Sequence, residues 1–266
     1  MPTTGSSPLY LCIDQGGHAS RALVFDRRGE LRVSALREVE VREPRPGWVE
    51  QDPEELVASL QAVITKAVAS LGARADQISY AGIATQRSSM VCWDRHTGEA
   101  LSPVISWQDR RAQHWLDQFS AHTLEIHQRT GLRLSAHYGV SKMRWCLDHL
   151  PAVVAARREG RLAMGPLVSF LLFRLLEEKP LLADPANAAR TLLWSIRALD
   201  WDLWLLELFG VPAETLPSCV PTHHVFGTLR VTDHQIPLTI ATGDQSAALY
   251  ALGSPSPDAV YVNLGT

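Results

Sequence analysis

Three stretches of the chain end an apolar run in acidic or polar groups: Asp14-Gln15-Gly16, Gln86-Arg87-Ser88 and Gly243-Asp244-Gln245. In α/β folds the open ends of neighbouring strands present their loops to one crevice, and that is where ligands bind. Gly16 and Gly17 leave the backbone beside Asp14 open to close approach, as phosphate and metal sites require. A fourth polar cluster, Trp107-Gln108-Asp109-Arg110-Arg111, ends another short run. An indole is a flat apolar wall for the carbon side of a small polyhydroxy ligand, and polar neighbours can read its hydroxyls. Taken singly, each has a plainer reading. Asp244 could cap the next helix, Asp14 could hold a hairpin loop, Arg87 could lie on the surface, and Trp107 could be core with its arginines in a solvated first turn. Their repetition at strand ends favours a site.

Periodicity shows the elements that must position these groups. Residues 9–13 predict a short buried strand and 21–26 a second. The glycine of DRRGE predicts a tight reversal into a third strand, so the chain opens as an antiparallel meander. From Asp52 the period lengthens to roughly 3.6, with Leu56, Leu60, Val63, Ile64, Ala67 and Leu71 on one helical face. Asp52 suits the N-cap, Pro53 the first helical position and Glu55 the third. Residues 78–85 and 90–94 return to strand character, and HTGE turns the chain into PVISW. Helical periodicity then dominates 109–206, broken at Gly131, Pro151, 160–166 and 180–185. A strand from Ile236 delivers Gly243 and Asp244, a helix follows over SAALYALG, and 259–264 predict a last strand. The order predicts a mixed α/β sheet with helices and a helical insertion.

Composition excludes several classes. A net charge of −3 with interspersed acids and bases gives no pull toward nucleic acid or anionic lipid. MPTTGSSPLY has neither a basic nor an apolar signal region, and the most apolar window, from Leu167, is interrupted by Arg174. A cytoplasmic protein is expected. Cys12, Cys92, Cys146 and Cys219 lie far apart, which predicts reduced, buried thiols and no zinc site. His223 and His224 are expected in a loop. Neither G-x-G-x-x-G after a strand nor G-x-x-x-x-G-K-[ST] occurs, so dinucleotide and P-loop readings fail.

The segments DQG with SRALVFD, PGWVEQDPEEL, GIATQR, SWQDRRA, SKMRWCLDH, ADPANAARTLLWSIRALDWD and IATGDQSAALYALG resemble, in order and spacing, the FGGY carbohydrate kinases, especially their glycerol kinase branch. The resemblance implies a ribonuclease-H-like fold of the actin and hexokinase type, with helices on both sheet faces. It also implies that 1–266 is the sugar-binding N-terminal domain, the nucleotide-binding C-terminal domain lying outside this chain. The activity implied is transfer of the ATP γ-phosphate to a hydroxyl of a small polyol or ketose, with Mg2+. A homo-oligomer is possible in such a family.

Carried over by position, Asp244 matches the catalytic base and Arg21 an arginine near the transferred phosphoryl group. Asp14 matches the carboxylate that organises Mg2+, usually through water. Gly16, Gly17 and His18 match the first phosphate turn, and Gly265 and Thr266 the start of the second. Gln86, Arg87, Ser88, Trp107, His137, Tyr138, Asp244 and Gln245 match the substrate wall. Two departures stand out. Gly17 and His18 replace two threonine hydroxyl donors, and Ser88 replaces a carboxylate that grips glycerol. Lost hydrogen bonds of this kind cost about 0.5 to 1.5 kcal/mol each. The resemblance therefore implies a polyol or ketose other than glycerol, or a catalytically weakened or non-catalytic sugar-binding relative. The isolated 266-residue piece is expected to turn over no substrate.

Overall fold

The computed structural model describes residues 7–251 and 253–262. Its first three strands, β1 (Leu9–Gln15), β2 (Ala19–Asp26) and β3 (Leu31–Glu38), form the antiparallel meander expected from the sequence. Alternation along β1 sends Leu9, Leu11 and Ile13 into the core and leaves Tyr10 and Cys12 on the opposite face.

After the two-residue β4 (Glu50–Gln51) comes α1 (Pro53–Ala69). Asp52 caps it, Oδ1 accepting from the amides of Glu54 at 2.9 Å and Glu55 at 3.4 Å. Glu55 turns its carboxylate to the amide of Glu40, at 3.2 Å, and so ties the helix start to the chain leaving β3. Leu56, Leu60, Val63 and Ile64 are buried against Leu9, Leu11, Ala22 and Val24 in one core. Burial of each large aliphatic side chain stabilises by about 1.5 to 3 kcal/mol, which fixes α1 on the sheet.

β5 (Ile78–Thr85) lies parallel to β1. β6 (Met90–Asp94), β7 (Val104–Ile105) and β8 (Leu162–Pro166) join β4 in a second sheet of order β4-β7-β6-β8. The stretch that reads as helical holds α2 (Thr123–Thr130), α3 (Gly139–His149), α4 (Pro151–Arg158), α5 (Leu167–Leu175), α6 (Pro185–Ala188) and α7 (Leu203–Phe209). β8 falls where the sequence shows only a break. All of its residues are buried, and a strand buried on both sides has no alternation to betray it. The insertion also holds β9 (Leu182–Ala183) paired with β12 (Ser218–Cys219), and β10 (Trp194–Ser195) paired with β11 (Asp200–Trp201). A second core, including Val140, Met143, Leu193 and Phe209, gathers this helical part.

β13 (His223–Val231) and β14 (His234–Gly243) complete the main sheet, of order β13-β14-β5-β1-β2-β3. His223 and His224 therefore open an edge strand rather than lie in a loop. α8 (Asp244–Ala248) follows β14 without a linker, shorter than the predicted helix. Residues 259–262 form no strand: Val260 and Val262 are 90% and 73% exposed, and no strand among the described residues pairs with the run. The remainder of that predicted strand, with Gly265 and Thr266, lies outside the described residues.

Helices lie on both faces of the main sheet, unequally. α1 and α5 cover one face. On the other, Ala247 of α8 borders a groove in which Tyr10, Tyr80 and Ile240 remain exposed. All four cysteines are free. Cys92 and Cys146 are buried as expected, whereas Cys12 is exposed on the open face and Cys219 is half-buried.

Candidate active site

β14, β5 and β1 are adjacent and parallel, so their C-terminal ends reach one rim. Ala84 of β5 stands level with Asp14 of β1 on one side and Thr242 of β14 on the other; Thr85 is likewise level with Gln15 and Gly243. Asp14, Gln86-Arg87 and Asp244 are thus delivered together by register alone. A cleft of about 320 Å³ opens there, lined by Gly17, His18, Gln86, Arg87, Trp107, His137, Arg190, Asp244 and Gln245 among others.

Asp244 is half-buried. Burial is the main cause that raises its carboxyl above the ordinary range, and the nearby Asp14 adds to it; the Gln245 amide, 2.6 Å from Oδ1, and Arg87 act against it. Arg87 Nε lies 3.7 Å from Asp244 Oδ1. Burial and the charge of Arg190 lower the Arg87 pKa.

Asp14 faces Arg21 across the β1–β2 pair and accepts a hydrogen bond from it at 2.8 Å. Arg21 is thereby held at the rim, outside the lining of the cleft. The turn between these strands is braced by amides: Gln51 Nε2 donates to the Gly17 carbonyl at 2.9 Å, and Gln86 Nε2 donates to Gln51 Oε1 at 2.7 Å. Gln86 Oε1 in turn accepts from Ser89 Oγ at 3.0 Å. Gln86 borders the cleft, yet its amide is engaged in holding the turn. Gly17 has open space where a Cβ would sit, and His18 is exposed.

Two residues expected in the substrate wall stand back from it. Ser88 is sealed, with φ 66° and its Oγ without a hydrogen-bond partner among the described residues. Tyr138 packs in the second core and forms a floor for Arg190, whose guanidinium carbon lies 4.7 Å from the ring centroid. Trp107 and His137 face each other with ring centroids 5.7 Å apart. Arg110 wraps the turn after Trp107, its Nη1 donating to the carbonyls of Trp107, Gln108 and Asp109, each at 3.0 Å.

Arg111 is not in a solvated turn. Its side chain is 1% exposed, paired with Asp109 at 2.8 Å and Glu50 at 2.7 Å, and lies between the indoles of Trp48 and Trp145. A desolvated guanidinium between two rings is held by both charge and cation–π attraction.

Arg190 and Lys142 were not singled out from the sequence. Arg190 follows α6, which Asp184 caps and which Thr85 meets through Asn187 at 3.3 Å, so the strand end carries it to the cleft. Its Nη2 donates to Nε2 of His137 at 3.2 Å. Lys142 is buried in α3, its Nζ donating to the carbonyls of Ala136, His137 and Tyr138 at 2.8, 2.8 and 3.0 Å. The only sequence signal for either is membership in the segments ADPANAARTLLW and SKMRWCLDH.

Among the described residues no group of three or more His, Cys, Asp or Glu side chains could hold a metal by itself, and no helix is long and apolar enough to cross a membrane.

A rim of parallel strand ends above a polar cleft is a common ligand site of α/β folds, and similarity to known proteins defines its class. Residues 9–251 match the family model described as the FGGY family of carbohydrate kinases, N-terminal domain. The chain belongs to that family. It is 38% identical to a glycerol kinase of Shewanella sp. (strain ANA-3) over 244 residues, covering 90% of this chain and 49% of that protein. With a glycerol kinase of Koribacter versatilis it shares 38% over 263 residues, 97% of this chain and 53% of that one. The chain thus spans about half the length of these relatives. Among solved structures it is similar to Plasmodium falciparum glycerol kinase with ADP, at TM-score 0.86 and 28% identity over 93% of this chain and 51% of that one. The xylulose kinase of Rhodospirillum rubrum shares the fold, at TM-score 0.82, 21% identity, and 93% and 52% coverage. The fold is the mixed α/β fold of the actin and hexokinase type.

Proposed function

We propose that this chain is the substrate-binding half of an ATP-dependent kinase that phosphorylates a hydroxyl of a small polyol or ketose. The observation that supports this reading best is the meeting of Asp14, Arg87 and Asp244 at one rim of three adjacent strand ends, where Arg87 and Asp244 line a cleft walled by Trp107. In this reading the carbon face of the substrate lies on Trp107, and Arg87 and Gln245 hold its hydroxyls. Asp244 Oδ accepts the proton of the attacking hydroxyl. Its burial raises its basicity, and positioning carries most of the rate in phosphoryl transfer.

The phosphates of ATP would be met by the β1–β2 turn, where Gly17 leaves room for close approach and Gln51 occupies the Gly17 carbonyl. Mg2+ suits one or two carboxylates completed by phosphate oxygens and water, so Asp14 would hold it, where it would offset phosphate charge. Arg21, 2.8 Å from Asp14 Oδ2, orients that carboxylate. A second domain of the kind the longer relatives carry would supply the nucleotide's other wall.

Gly17 and His18 support a second reading, a relative that binds its ligand without turning it over, because neither offers a side-chain hydroxyl to phosphate. ADP release by the protein expressed from its complete reading frame, over a panel of polyols and ketoses, separates the two. Turnover that Asp244→Asn abolishes supports the kinase. Binding without ADP release supports the second reading, and turnover surviving Asp244→Asn removes that residue from its role.

A further inference from the structure

The charges around the cleft are unequal. Its lining holds two guanidinium groups, Arg87 and Arg190, and a single carboxylate, Asp244. Position 88, next to Arg87, offers no second anion, since its serine is sealed from the cleft. Arg87 makes no hydrogen bond to the described residues, and its nearest anion, Asp244, is 3.7 Å away. The Nε of Arg190 is buried without a hydrogen-bond partner among them, and its one side-chain hydrogen bond goes to a neutral ring nitrogen of His137. His137 reports the local field: besides burial, Arg190, Lys142, Arg110 and Arg87 all act to keep it unprotonated.

These charges are ordered along the cleft. Asp244 is within electrostatic reach of Asp14, Arg87 is 3.7 Å from Asp244, and Arg190 is bonded to His137, whose ring meets Trp107. A neutral polyol would bring no counter-charge to the Arg190 end of a partly desolvated site, where Asp184 acts on Arg87 but does not line the cleft. A planar carboxylate matches a guanidinium fork in both charge and shape.

We propose that the substrate class of this cleft is a polyhydroxy carboxylate, its acid group held at the Arg190 end with Arg87 alongside and a hydroxyl farther along its carbon chain at Asp244. The proposal rests on reading the cleft as a polyol or sugar site, and it narrows that reading from neutral polyols and ketoses to their acids.

Calorimetric titration of the full chain with D-gluconate against D-glucitol, and with D-glycerate against glycerol, tests it at matched carbon number. The acid of each pair is expected to bind at least tenfold more tightly than its neutral partner. Arg190→Gln should reduce that ratio to threefold or less, while Arg190→Lys, which keeps the charge, retains part of it. The wild-type ratio decides the matter even if a variant folds poorly. A polyol that binds as well as its acid overturns the carboxylate inference and leaves the polyol site standing. If neither member of either pair binds, both fall.

Discussion

The guanidinium of Arg87 reaches to 3.7 Å from Asp244 because Gly243, the residue before Asp244, has no side chain. A Cβ on Gly243 would stand 2.2 Å from Arg87 Cδ and 2.5 Å from Cγ. The backbone at Gly243 is extended, with φ −83°, so alanine fits the strand and the conflict is with the arginine alone. The arginine, being flexible, is what moves. Gly243→Ala should keep its thermal midpoint within about 4 °C of wild type. Its affinity for ligand should fall by about tenfold or more as Arg87 is pushed off the carboxylate. Thermal unfolding beside calorimetric titration checks both halves, and unchanged affinity would show that Arg87 does not act where it is placed.

Asp244 is assigned the proton of the attacking hydroxyl. Asn keeps the size and the contact to the Gln245 amide but cannot take that proton. In protein from the complete reading frame, kcat for ADP release should drop by about 10² to 10⁴. Ligand affinity should change by less than about tenfold, since the loss falls on the transition state. An equal loss in both would make Asp244 a binding residue.

His137 should remain neutral far into the acid range. Burial, followed by the surrounding cations, holds its pKa down to about 4 from 6.5. Arg190 donates into Nε2, which requires the tautomer protonated at Nδ1. The sign of the linkage follows. Between pH 6.5 and about 4 the unfolded chain takes up a proton that the folded chain refuses, so this group makes stability fall as pH drops through that window. Ring-proton NMR titration should show one histidine with a midpoint near 4, absent in His137→Gln; a midpoint near 6.5 would contradict the placement of Arg190 against it.

Lys142 holds the segment that carries His137. Its ammonium is buried and satisfies three carbonyls in succession, at 136, 137 and 138. Lys142→Met would fill the space and leave those acceptors unpaired, at about 1 to 3 kcal/mol for each that stays dry. Urea unfolding should report a loss of about 3 kcal/mol or more. A loss below about 1 kcal/mol would mean that the carbonyls find other partners.

Local rules made part of this molecule legible. Asp52, Pro53 and the period of Leu56, Leu60 and Ile64 mark α1 because capping and amphipathicity act within a few residues. The strand ends at Asp14, Gln86-Arg87 and Asp244 could be read as one site because parallel neighbours must share a rim. Arg190 and Lys142 could not be found that way. A buried lysine in α3 looks like any solvated helical lysine, and what makes each matter is a partner distant in sequence: the His137 ring for Arg190, a run of carbonyls for Lys142. Arg111 misleads for the same reason, its indole partners being Trp48 and Trp145. β8 escaped notice because two buried faces erase the period of two.

The position of the bound ligand tests the central claim most directly. Amide and indole NMR spectra of the chain, titrated with polyols, ketoses and their acids, should show the largest shifts at the Trp107 indole and at Arg87, Asp244 and Gln245. Shifts concentrated instead in the separate cavity bordered by Glu125, Arg129 and Asp202, or no saturable shift with any of these ligands, would contradict it.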